Sequence, residues 1–157
     1  EAKRKNYDEN GFVDNDPDMD ITGTAIIHLM QLFMTIIMKG NPEEIEYLDI
    51  IGQMKHQIKE NIKHFDEAEK NIKTAEKNYR KALKILEKRL KRNGDKSNFL
   101  LVLLMEALNG VPGQLLQLKT QKELKEKMLE ITSEFTYDFD TKNTTSTVSQ
   151  YFSFIVS

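Results

Sequence analysis

The chain has 157 residues, 39% hydrophobic and 31% charged, with seven glycines and three prolines, a balance that suits a folded, helix-rich domain and excludes a disordered one. The formal net charge is only −2, which leaves local charge runs as the electrostatic features of interest. Cysteine is absent, so a disulfide scaffold, a thiol nucleophile and any cysteine-ligated metal are excluded.

Residues 1–20 carry three basic and seven acidic side chains and show no helical period; we expect an acidic, irregular arm. Within it, Asn6, Asp8, Asn10 and Asp14 stand at the first, third, fifth and ninth positions of a stretch that resembles the start of an EF-hand loop, with Gly11 sixth. Calcium needs clustered oxygen ligands and a glycine to turn the chain. The twelfth position, where a bidentate glutamate belongs, is Pro17, so an acidic turn is the favoured reading and no cofactor is assigned.

Residues 22–39, TGTAIIHLMQLFMTIIMK, are apolar around most of a helix, and such a helix is expected to be central. In the next five residues, GNPEE, Gly40 stops that helix, Asn41 caps the next, Pro42 suits its first turn, and Glu43 and Glu44 complement the positive end of its dipole. From Pro42 to Arg92 there is no further proline, which predicts one spine helix of about 50 residues, roughly 75 Å long. Its apolar positions settle into a three-four spacing from Phe65 onward, and Ala68, Ile72, Ala75, Tyr79, Ala82 and Leu86 form a seam of alternating small and large residues. Intramolecular packing is the favoured use of the seam, and a dimer or partner interface the other. His56, Glu60 and His64 lie along one stripe of this helix, turned away from Met54, Ile58 and Ile62, without the spacing that known zinc or di-iron motifs need.

The spine ends in a basic run. Lys77, Arg80, Lys81, Lys84, Lys88, Arg89, Lys91 and Arg92 face the single acid Glu87. Such a run suits a helix C-terminus and also an anionic partner, a nucleic acid being the less favoured because Tyr79 alone could stack on a base. Asn93-Gly94-Asp95 predicts a turn, and Ser97 is placed to cap a helix over 98–108 whose apolar run from Phe99 to Met105 calls for near-complete burial. Asn109-Gly110-Val111-Pro112-Gly113 predicts a break, followed by an amphipathic helix over 114–135 carrying Leu115, Leu118, Leu124, Met128, Ile131 and Phe135 on one side. The last 22 residues favour strand or irregular structure, and Asn143-Thr144-Thr145 within them is a glycosylation sequon.

These elements predict an all-α protein: an elongated antiparallel bundle of about four helices built on the long spine, with irregular ends. The expected organisation is an arm over 1–20, a bundle domain over 21–135, and a polar and aromatic tail over 136–157 that packs on the bundle. No phosphate loop, dinucleotide fingerprint, nucleophile elbow or paired acid and base is present in the sequence, so an enzyme is not expected. We expect instead an exported or secreted binding protein, monomer or dimer, that presents a helical face to a macromolecular partner, an acidic protein for example. A carrier of lipid or another apolar ligand, and a membrane-active protein, are the alternatives that the apolar helices raise.

Overall fold

The computed structural model describes residues 17–141, which are all-α: helices α1 (Pro17–Lys39), α2 (Ile50–Arg89) and α3 (Phe99–Thr132), with a 3-10 helix over Pro42–Tyr47 between the first two and no strand among the described residues. The calcium candidates Asn6, Asp8, Asn10 and Asp14, and the sequon at Asn143, lie outside the described residues. Residues 17–20, expected in the irregular arm, are helical instead, because α1 begins at Pro17, whose fixed φ suits a first helical turn.

The spine is also shorter than its proline-free stretch implied. Asn41 does cap a helix, its Oδ1 accepting from the Glu43 amide at 3.2 Å, but the helix it caps is the 3-10 turn over Pro42–Tyr47. The α-helix proper starts eight residues later, where the Asp49 carboxylate accepts from the Gly52 amide at 2.8 Å and the Asp49 carbonyl accepts from the Gln53 amide at 2.9 Å. It spans 40 residues, about 60 Å at 1.5 Å per residue.

A second correction concerns Asn109 to Gly113. The two helices expected on either side are one continuous α3, with Pro112 inside it. The apolar side chains explain why: Leu101, Leu104, Leu108, Val111, Leu115 and Leu118 keep a three-four spacing straight through the glycines and the proline, and all six are buried or half-buried. Packing along that line outweighs the local preference for a break.

The chain divides into two compact units. The first combines described residues 17–59 and 124–141, and holds most of the core: Ala25, Leu29, Ile36, Leu48, Ile50, Met54, Ile58 and Met128 are buried there, with Gln53 and Thr132. Thr132 satisfies its hydroxyl on the Met128 carbonyl at 2.7 Å. After α3, Tyr137 donates its hydroxyl to the Ile45 carbonyl and the Asp140 amide donates to the Glu46 carbonyl at 2.7 Å, so the segment beyond the helix is fastened to the 3-10 turn.

The second unit, Glu60–Glu123, is an antiparallel hairpin of the C-terminal part of α2 and the N-terminal part of α3. Lys122 bonds Asp66 across it at 2.6 Å. Its turn is closed by Gly94 at φ 79°, a left-handed conformation that glycine adopts without strain. Asn98, rather than Ser97, stands at the N-cap of α3: its Oδ1 is 3.5 Å from the Leu101 amide, while its side-chain amide donates to the Leu90 carbonyl at 3.0 Å. Leu108 and Val111 are the buried apolar residues of this unit.

Candidate functional site

Two surfaces carry the chemistry. The first is apolar, and it overturns the expectation of burial for both apolar helices. Of the most apolar 18-residue stretch in Ile21–Lys39, 17% is buried, and of that in Phe99–Thr132, 11%. In α1, Ala25, Leu29 and Ile36 turn inward, while Met38 is 80% and Met30 62% exposed, with Ile26, Ile27, Phe33 and Met34 also open. The reason is that one three-four stripe is all the first unit covers; an all-round apolar helix then leaves the remaining faces bare. His28 is half-buried on this helix.

In α3 the stripe through Leu101, Leu104 and Leu108 meets α2, and Phe99, Leu100, Val102, Leu103 and Met105 remain exposed, Leu103 by 63%. From Phe99 to Leu118 the only charged residue is Glu106. From Ile21 to Met38 there is none. Thr35 turns its hydroxyl back onto the Gln31 carbonyl at 2.8 Å, so this exposed polar group of α1 is satisfied within its own helix.

The second surface is the basic run on α2. Lys77, Lys81, Lys84 and Lys88 follow one another at spacings of four, three and four, a single stripe of the helix, and all four are exposed. Residues two positions apart on a helix lie about 200° around the axis, so Ala75 and Ala82 place the seam on the side opposite Lys77 and Lys84. Ala68, Ile72, Ala75, Ala82 and Leu86 of the seam are half-buried, whereas Tyr79 is 39% exposed.

The other cations of the run are engaged locally. Arg80 holds Glu76 at 2.7 Å, Lys91 donates to the Glu87 carbonyl at 3.1 Å, and Arg92 donates to the Ser97 carbonyl at 2.9 Å while its guanidinium lies 5.2 Å from the Phe99 ring centre. Lys77, Lys81, Lys84, Lys88 and Arg89 make no ion pair with any described residue.

A groove of the hairpin is lined by Phe65, Leu115, Leu116 and Leu118 together with Glu69, Lys73, Lys119 and Lys122, so charged side chains border an apolar floor. Among the described residues no three His, Asp or Glu side chains come together in a way that would hold a metal ion; His64 instead stands 3.7 Å from Glu67. Burial was the quantity that sequence reasoning misjudged. The signal that could have corrected it is the charge-free length of the first apolar run together with the unbroken three-four spacing of the second. No family model, curated protein or solved structure matches the chain.

Proposed function

We propose that this is a non-catalytic, membrane-active helical protein whose apolar helices α1 and α3 contact the hydrocarbon of a lipid bilayer. The observation that carries the reading is the exposure of two nearly charge-free stretches in which only 17% and 11% of the residues are buried. Eighteen helical residues extend about 27 Å, close to the roughly 30 Å hydrocarbon thickness of a bilayer. Lys39 ends the first stretch, Lys91, Arg92 and Lys96 precede the second, and Lys119 follows it, which are the places where cations reach headgroups. Pro112 and its neighbouring glycines within α3 fit the same setting, since both residue types are commoner in membrane helices than in soluble ones.

The exposure weighs against the carrier reading, because a carrier of apolar ligands holds its apolar surface inside. It narrows the macromolecular-partner reading to a partner that accepts large apolar surfaces. An apolar patch of this extent is a contact surface or a source of aggregation in water.

Flotation with vesicles tests the proposal. The wild-type chain should float with phosphatidylcholine–phosphatidylserine vesicles and stay bound through a high-salt wash. The triple variant Met30→Glu, Met38→Glu, Leu103→Glu changes three exposed side chains, and it should keep its helical circular dichroism while losing most of that binding. A wild-type chain that stays at the bottom of the gradient with every vesicle composition, and is a monodisperse species in detergent-free buffer, would remove the membrane reading.

A further inference from the structure

The hairpin of the second unit sets a condition on how α3 can reach hydrocarbon. Asp66 opposite Lys122 fixes an antiparallel register that puts residue 89 beside residue 99 and residue 72 beside residue 116. The apolar part of α3 therefore runs alongside residues 72–89 of α2, which hold Lys73, Lys77, Arg80, Lys81, Lys84, Lys88 and Arg89. Each cation at the centre of a bilayer opposes insertion on the order of a hundredfold. Lys77, Arg80, Lys81 and Lys84, which this register sets beside the middle of the apolar stretch, cannot follow α3 inward, so insertion of α3 separates it from α2 along the seam.

What α2 becomes on separation follows from its two faces. Ile72, Ala75, Ala82 and Leu86 lose the helix that half-buries them, and the lysine stripe stands on the opposite side. A helix of that kind lies in the plane of the membrane interface, its apolar line toward the acyl chains and its lysines extended along their stems to the headgroups. A neutral headgroup layer offers those lysines little, whereas an anionic one attracts each of them about fivefold. Resting on the membrane reading above, we propose that Lys77, Lys81, Lys84 and Lys88 are a docking surface for anionic phospholipid, engaged as α3 leaves α2. The lysines carry no ion pair within the described residues, so no acidic side chain there competes for them.

The test uses the full chain and its variant Lys77→Gln, Lys81→Gln, Lys84→Gln, Lys88→Gln. Partition into phosphatidylcholine vesicles is compared with partition into phosphatidylcholine–phosphatidylserine vesicles, at low and high salt. Wild type should prefer the anionic vesicles, the preference should shrink with salt, and the variant should lose on the order of several hundredfold of anionic partition while its partition into neutral vesicles is unchanged. Equal wild-type partition into both vesicles, unaltered by the four substitutions, would overturn the lysine docking surface and leave the membrane reading standing. Absence of partition into either vesicle would remove both, and tight binding of a single-stranded oligonucleotide that vesicles fail to displace would reassign the lysines to a nucleic acid.

Separation has its own readout. Spin labels on Thr74→Cys and Gln114→Cys, in a chain with no other cysteine, report the distance across the hairpin. That distance should lengthen in the fraction of chain bound to vesicles, and that fraction should be larger with anionic vesicles than with neutral ones. A distance unchanged by anionic vesicles to which the chain is bound would overturn the opening.

Discussion

Asp49 and Gly52 share one space at the start of α2. A Cβ at position 52 would stand 2.0 Å from Asp49 Oδ2, so the carboxylate that caps the helix occupies the volume an alanine would need. Asp49→Ala removes the cap and should cost about 1 kcal/mol. Gly52→Ala should be close to neutral, because the propensity gained, about 1 kcal/mol, is offset by eviction of the cap. In the double variant no carboxylate remains to evict, so it should be about 1 kcal/mol more stable than Asp49→Ala alone. Urea unfolding of the four proteins measures that coupling, and strict additivity would show that the two residues do not compete. One position further, Gln53 is buried and its Oε1 has no partner among the described residues, which makes Gln53→Met a substitution that should raise stability by about 1 kcal/mol in the same assay.

At the scale of elements, Pro112 is the costliest feature of α3. It gives the Leu108 carbonyl no amide to bond and crowds that same carbonyl, a loss of about 3 kcal/mol in a helix interior. Pro112→Ala should therefore raise the midpoint of thermal unfolding, because the exposed side chain contributes little packing to set against the gain. No rise would mean that the helix bends at Pro112 in solution and already escapes the clash.

The same helix shows what was legible in the sequence. Asn-Gly-x-Pro-Gly is a strong local signal for a break when its residues are taken one by one. The three-four spacing that overrides it becomes visible only when Leu101 to Leu118 are taken as one line. At the other end of α2, asparagine followed by proline and two glutamates reads identically for a 3-10 and an α-helix, since both leave their first amides unpaired. The α-helical class followed from spacing, and the turn at Gly94 from Asn93-Gly94-Asp95. Exposure of α1 and α3 did not, because an all-round apolar helix says that something covers it and does not say whether that is protein or lipid.

For the molecule as a whole, the core is unevenly shared. Ala25, Leu29, Ile36, Leu48, Ile50, Met54, Ile58 and Met128 belong to the first unit, and Leu108 and Val111 to the second. Local stability follows buried contacts, so amide hydrogen exchange should be slowest in peptides covering 50–58 and 124–132 and faster in those covering 80–89 and 99–107. Uniform protection along α2 would contradict the division, and would also make opening of the hairpin as costly as global unfolding.

The first unit is discontinuous in the chain, and this has a bearing on how the protein is made. The 64 residues from Glu60 to Glu123 separate its two segments. A ribosome adding about 5–20 residues per second takes roughly 3–13 s to traverse them. For that interval α1 has been synthesised, while Met128 and Thr132, which complete its unit, have not. A bilayer or a chaperone near the ribosome thus meets this apolar helix before the last members of its core exist.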